Sequence, residues 1–117
     1  MISTTLDLTT AFNANNTAQI DVGEWENVII HMVGTVTGTI LFQGSNDGGA
    51  VTGAVDESPQ AAINFSTISA TKMSDGTLTT SLAAAGLYKL TQPCKYLKFG
   101  GASAAATKVL VFMSKVV

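Results

Sequence analysis

Apolar and polar residues alternate along most of the chain in short runs, a period of two that is typical of β-strands. Two runs, Trp25–Val33 and Lys108–Val117, are apolar on both faces. These two runs therefore predict strands that are central in a sandwich or covered by another subunit. Six shorter runs also predict strands, and these are Thr17–Val22, Thr35–Gln43, Ala61–Thr71, Thr77–Leu82, Gly86–Leu90 and Lys95–Phe99.

Turn-forming residues separate these runs. Gly34 marks a bend between the two runs around it, Gln43–Gly49 reads as a polar hairpin tip, and Ser74–Gly76 is a strong turn signal. The stretch Gly49–Gln60 is small, polar and acidic and contains Pro59, which predicts a long loop. About eight strands spaced by roughly ten residues predict an all-β fold, an antiparallel β-sandwich that is jelly-roll-like. Periodicity alone does not choose between a jelly roll and another Greek-key sandwich.

The first 16 residues have a different pattern, in which isolated apolar residues are set among Thr, Ser and Asn. The apolar residues all share one parity, which places them on one face of an extended segment; they are Ile2, Leu6, Leu8 and Phe12. Residues 1–16 are therefore predicted to form either an N-terminal arm, along the chain's own sheet or along a neighbouring subunit, or an ordinary first strand, which is slightly favoured. Residues 17–117 are predicted to form a single sandwich domain, and no segment shows a sustained helical period.

The surface of this chain has few charges. Of its 117 residues only 12% are charged, and none is Arg. Such a surface is poorly protected from association, so we expect much of it to be covered by copies of the chain or by a partner. A Thr-rich surface that is uncharged but solvated is the alternative. The net charge of −2 and the lack of Arg argue against a nucleic-acid partner.

Neither a disulfide nor a targeting segment is expected. Cys94 is the only cysteine, so the chain cannot form an internal disulfide. The first ten residues contain no basic residue and no apolar core of a signal peptide, and no stretch has the length of a membrane span. We therefore expect synthesis and folding in a cytoplasm, without a membrane partner.

No residue pattern predicts catalysis, a metal or a cofactor. His31 is the only histidine and lies in a predicted strand, where a structural role is favoured. Cys94 has no histidine near it in sequence, so a buried inert thiol is favoured over a nucleophile. Asp47, Asp56–Glu57 and Asp75 fall in predicted turns or loops without the spacing of a calcium loop.

Four segments carry a resemblance to a known class of proteins. They are Gly34–Gly48, with the pattern G-T-V-x-G-T-I-x-F-x-G-S-N-D-G, then Gly86–Leu90, Lys95–Phe99 and Lys108–Met113. Together these segments resemble structural proteins of tailed bacteriophages, and the G-S-N-D-G tip is the sharpest element. The resemblance implies a virion component made in the host cytoplasm. For a short chain without shaft-like repeats, it favours a capsid decoration or cement protein, a small sandwich that forms trimers and binds the major capsid protein.

Two other functions compete with this interpretation. A tail or fibre module that binds host-surface carbohydrate would use the loop at Asn46–Asp47 and an exposed Trp25, although Trp25 at the edge of the core is favoured over a sugar platform. An enzyme is less favoured because no nucleophile and base can be named. The residues predicted to contact other subunits are Ile2, Leu6, Leu8, Phe12, Trp25, Leu110 and Phe112.

Overall fold

The computed structural model describes residues 1–47, 64–91 and 94–116. They contain one short helix and eleven strands. These elements are β1 (Ile2–Asp7), α1 (Thr9–Asn15), β2 (Thr17–Asp21), β3 (Asn27–Thr37), β4 (Ile40–Ser45), β5 (Ser66–Thr67), β6 (Ala70–Lys72), β7 (Leu78–Thr79), β8 (Ser81–Leu82), β9 (Gly86–Leu90), β10 (Tyr96–Gly100) and β11 (Ala105–Lys115). The predicted loop Gly49–Gln60 lies outside the described residues.

The strands form two antiparallel sheets, which confirms the predicted sandwich. One sheet has six strands in the order β1-β11-β3-β9-β6-β7, and the other has the order β2-β10-β4-β5 with β8 also paired to β4. The two-sided apolar runs become β3 and β11, which pair with each other in the interior of the six-stranded sheet. The side chains on the inner side of both strands are buried, whereas those on the outer side lie at the surface of the sheet.

The core lies between the two sheets and follows the alternation of each strand. In β3 the core side chains are Val28, Ile30 and Met32, and in β11 they are Val109, Val111 and Met113, all 5% exposed or less. The five-stranded sheet contributes large side chains such as Phe42 and Phe99. Tyr88 fills the centre of β9, and its hydroxyl donates to the Ala84 carbonyl at 3.1 Å, so its polar end is satisfied.

The extended course predicted for residues 1–16 ends at Asp7, because the chain then turns into α1. Seven residues rich in Thr and Asn do not form a stable helix alone, so tertiary contacts must hold this one. The Asn13 side chain supplies such a contact, since it donates to the Ala106 carbonyl at 2.9 Å and accepts from the Ala106 N–H at 3.0 Å. Phe12 enters the core and stacks on Phe99, with ring centroids 5.7 Å apart.

Some strands are shorter and more numerous than predicted. The run Thr77–Leu82 is not one strand but two, since β7 pairs in the six-stranded sheet and β8 in the five-stranded sheet. The run Ala61–Thr71 likewise contributes β5 to one sheet and most of β6 to the other. Switching between sheets within a few residues adds two strands to the eight predicted, and β1 is the third, which gives eleven.

Gly34 is not a bend between two strands, as its position in the sequence suggested. It lies inside β3, opposite an irregularity of pairing between Ala106 and Lys108, and the chain turns only after Thr37. Gly34 has φ +77°, and a Cβ there would collide with the side chain of Thr107. The glycine therefore permits a β-bulge within a continuous strand.

Replacing Gly34 with alanine is expected to lower the free energy of unfolding by about 2–4 kcal/mol, because backbone strain and overpacking add. Gly76→Ala is the matched control, since Gly76 has the same φ of +77° but nothing within 4 Å of a built Cβ. Gly76→Ala should lower the free energy of unfolding by only about 1 kcal/mol, which measures the cost of the backbone conformation alone. Urea unfolding measures both variants. If Gly34→Ala and Gly76→Ala lose equal free energy of unfolding, the contact with Thr107 has no effect on stability.

The helix that the described residues contain, α1, has seven residues. No helix in this part of the chain has both the length and the apolar character of a membrane span.

Candidate functional site

The outer surface of the six-stranded sheet carries an unusual amount of apolar area. Along β11, Leu110 and Phe112 alternate with the core residues and stay half-buried, and Ile29 and Val33 do the same along β3. Exposed apolar side chains continue the surface across the later strands. We call this set the outer apolar face, and its members are Ile29, Val33, Met73, Leu78, Leu87, Leu110 and Phe112.

The strand register places these side chains in cross-strand rows. One row holds Phe112 beside Ile29, followed by Lys89, Thr71 and Leu78. The next row holds Leu110, His31 and Leu87, and the Met73 N–H donates to the Leu87 carbonyl at 3.0 Å, which extends the row to Met73. Side chains in such rows are close enough to touch. Apolar side chains therefore occur on this surface from β11 to β7, with the polar residues His31, Lys89 and Thr71 among them.

Exposure on this face increases away from the central strands. Leu87, Met73 and Leu78 are 42%, 45% and 68% exposed. Because these three large apolar side chains lie on the same surface as Leu110 and Phe112, this surface is the candidate interaction site.

The outer surface of the five-stranded sheet has the opposite character. Its central row joins Gln19, Lys98, Gln43 and Thr67 across four strands. Leu41 is exposed on this surface, and two aromatic side chains are half-buried there, Tyr96 and Phe65, the latter with its ring centroid 5.5 Å from the Lys98 ammonium. Because the two sheets cover the same core but differ in outer polarity, core formation alone does not explain the outer apolar face.

The residues predicted to contact other subunits do not all lie together. Leu110 and Phe112 belong to the outer apolar face, whereas Leu6 and Leu8 pack against the protein's own core and Ile2 is exposed at the start of β1. Phe12 was expected on the same face as these three. It instead lies fully within the core, because α1 replaces the extended segment on which that expectation rested.

Trp25 sits at the edge of the core, the position favoured by its sequence context. Its side chain packs against the core cluster, and the Lys115 ammonium lies 5.4 Å from its ring centroid. Lys115 also approaches Glu24 at 3.9 Å. The ring is half-buried, and together with Val22 and Leu90 it lines an open cavity of about 360 Å³.

The sequence pattern did not identify five members of the outer apolar face as contact residues. Ile29 and Val33 had a signal, because β3 is apolar on both sides. Met73 and Leu78 had none in their own segments, since each is an isolated apolar residue in a polar stretch, and Leu87 was visible only as one residue of the predicted strand Gly86–Leu90. Only the pairing of β9, β6 and β7 beside β3 brings them onto one surface.

The ionisable groups show local roles. Burial raises the pKa of the Cys94 thiol, which disfavours the reactive thiolate. Asp47 accepts two hydrogen bonds from Asn64, at 3.0 Å from its backbone N–H and at 2.8 Å from its side-chain amide. Among residues 1–47, 64–91 and 94–116, no three His, Cys, Asp or Glu side chains are grouped so that they could hold a metal ion.

Two exposed aspartates form matching turns. The Asp7 carboxylate accepts from the Thr9 hydroxyl at 2.6 Å and from the Thr9 N–H at 3.1 Å, and Asp75 makes the same pair of bonds with Thr77 at 2.7 Å and 3.0 Å. These hydrogen bonds hold the pKa of each carboxyl below its usual 3.8. The bond from the threonine hydroxyl makes the largest contribution, and the bond from the backbone N–H makes the next largest.

A lowered folded-state pKa stabilises the protein above the unfolded-state pKa, and this stabilisation is lost as the pH falls through the folded-state value. Replacing Asp7 or Asp75 with asparagine should therefore reduce the loss of stability between neutral pH and about pH 3, with the double variant least sensitive to acid. Urea unfolding at both pH values measures this. Unchanged acid sensitivity in all three variants would contradict it.

Comparison with known proteins gives one structural relative. No protein-family model matches the chain, and no curated protein sequence matches it. The crystal structure of the SPBc2 prophage-derived protein YomS is similar, with a TM-score of 0.63 over 97% of this chain and 94% of that one, at 14% sequence identity. The chain therefore shares its fold with a prophage-derived protein over nearly its whole length.

Proposed function

We propose that this protein is a structural component of a tailed-phage virion, and that it acts as a capsid decoration or cement protein. The outer apolar face is the observation that carries this proposal, because it suits a protein that works while in contact with other subunits. The resemblance of Gly34–Gly48 and the later segments to phage structural proteins supports it. The fold shared with a prophage-derived protein supports a phage origin.

In this proposal the protein is a trimer that binds the major capsid protein at the head surface. Each subunit covers part of a seam between capsid proteins, and three linked subunits bind more tightly than one because the second and third contacts are intramolecular. Burial of apolar area supplies the energy, at about 25 cal/mol per Å². The protein has no catalytic step and needs no cofactor in this role.

Sedimentation with capsids tests the proposal. Purified protein is incubated with expanded capsids that lack decoration, the particles are pelleted, and the bound protein is quantified over a concentration series. We expect saturable co-sedimentation. We also expect the decorated capsid to withstand a higher temperature or a higher chelator concentration than the undecorated capsid. Absence of the protein from the pellet at all concentrations would overturn the decoration function.

A tail or fibre module that binds carbohydrate is the competing function, and the half-buried Trp25 beside its cavity is the aromatic residue that such a site would use. A glycan array separates the two. Decoration predicts no saturable glycan binding, whereas binding that is lost in Trp25→Ala would establish the carbohydrate function instead.

A further inference from the structure

The two ends of the sandwich differ in how the space between the sheets is filled. Strand β11 begins beside α1, where Phe12 enters the core, and ends beside Trp25. At this second end a cavity of about 360 Å³ opens next to Trp25. Ligand pockets measure about 300–1,000 Å³, so a cavity of this size suits one side chain or a very small molecule.

The walls of the cavity are apolar. Val22 and Val28 are buried where they line it, and Trp25 and Leu90 are half-buried there. Such walls favour a hydrocarbon group, because apolar area on both sides is removed from water when the cavity is filled.

The mouth of the cavity offers hydrogen-bond acceptors. Its exposed polar side chains are Glu26 and Thr91. The Thr91 hydroxyl donates to the Ser69 carbonyl at 3.0 Å, so its proton is already used. The Glu26 carboxylate accepts from the Val116 N–H at 3.1 Å and keeps further acceptor sites. An occupant must therefore bring an apolar body and a hydrogen-bond donor.

The charges around the mouth favour a donor that is a cation. Lys115 shows how a cation is held at this end of the molecule, since its ammonium lies 5.4 Å from the Trp25 ring centroid and 3.9 Å from Glu24. Glu26 makes no such ion pair with a lysine of the described residues. Carboxylates also outnumber ammonium groups here, with Asp21, Glu24 and Glu26 against Lys95 and Lys115.

We propose that this cavity receives the side chain of a lysine or an arginine from a partner protein. The hydrocarbon stem of that residue lies against Val22 and Val28, and its charged end reaches Glu26 at the mouth. A purely apolar side chain would leave Glu26 unpaired, and an acidic one would be repelled by it. The inference goes beyond the proposed function, because it assigns a contact at a different part of the molecule from the outer apolar face.

Trp25 allows the test to be made on the full-length protein. It is the only tryptophan, so its fluorescence reports whether the cavity beside it is occupied. The probes are the Nα-acetyl amides of lysine, norleucine and glutamate, which present their side chains on a peptide backbone; norleucine has the lysine stem without the ammonium group. We expect the lysine amide to bind about two- to fivefold more tightly than the norleucine amide, the ratio that an exposed ion pair gives. The glutamate amide should bind most weakly.

Two variants assign the preference to the mouth of the cavity. In Glu26→Gln the advantage of lysine over norleucine should disappear, because the contacts of the stem remain while the ion pair is lost. Asp75→Asn is the matched control, since it removes another exposed carboxylate, from the turn between β6 and β7. It should keep the advantage of lysine. Thermal unfolding shows that both variants are folded.

The opposite results would overturn the inference. They are the absence of a saturable fluorescence change with the lysine amide, norleucine binding as tightly as lysine, and a preference for lysine that survives in Glu26→Gln. A last probe, n-butylamine, carries the stem and the charge without a backbone. If it binds and the lysine amide does not, the cavity takes a free amine and not a protein side chain. Sedimentation with capsids is a separate measurement, so either idea can fail without the other.

Discussion

Replacing Phe112 with aspartate is expected to separate the subunits of the proposed trimer while leaving each one folded. Phe112 is half-buried on the outer side of β11, next to Ile29 of β3 and Thr5 of β1. A carboxylate there can stay hydrated in a monomer, but it would be buried without a partner if a second copy covered the face. Light scattering should show a monomer, and circular dichroism a β-rich fold with a modest loss of stability.

Phe99→Asp is the matched control for this prediction. Phe99 lies on β10 with its ring fully buried between the sheets, so an aspartate there has no route to solvent. This variant should fail to fold, since an unpaired charge in a core costs several kcal/mol. If Phe112→Asp also unfolds outright, Phe112 is part of the core. If it remains trimeric, the outer side of β11 is not where subunits meet.

The local pattern was sufficient for the parts of the fold that depend on one strand at a time. Alternation along Val28–Val33 and Val109–Met113 correctly separates core from outer side chains, because side-chain direction has a period of two in any strand. Apolar residues on both sides of these runs correctly predicted central strands. Turn chemistry at Ser74–Gly76 was also sufficient, since Asp75 makes its hydrogen bonds within the turn.

The parts that were missed depend on contacts between segments far apart in sequence. Helix α1 has no helical signal of its own and is held by Asn13 against Ala106, 93 residues away. The bulge at Gly34 is defined by Thr107 on the opposite strand, whose hydroxyl accepts from the Thr35 N–H at 3.0 Å. A glycine between two apolar runs reads as a turn unless the partner strand is known.

The residues of the candidate site also divide into those that a single strand predicts and those that depend on the pairing of distant segments. Leu110 and Phe112 could be predicted because one strand displays them opposite its core residues. Met73, Leu78 and Leu87 could not, because their significance arises only where β6, β7 and β9 extend the sheet. An apolar face built by sheet topology thus leaves little trace in any single segment. Phe12 is the converse case, an apolar residue with a clear parity that the helix turns inward.

Replacing Phe12 with alanine is expected to lower the free energy of unfolding by about 3–5 kcal/mol. The ring is 0% exposed and stacks on Phe99 at an interplanar angle of 24°, so its removal leaves a cavity and ends an aromatic contact. A typical domain is stable by only 5–15 kcal/mol, and the loss is therefore a large part of the total. Urea unfolding at neutral pH measures it.

Ile2→Ala is the appropriate comparison, because Ile2 shares its parity with Phe12 but is 46% exposed. It should lose less than about 1 kcal/mol, and Phe12→Leu, which refills part of the space, should fall between the two alanine variants. Similar losses for Phe12→Ala and Ile2→Ala would mean that α1 does not anchor the core. The expected order would instead show that α1 closes one end of the sandwich, since Phe12 is the residue through which the helix enters it.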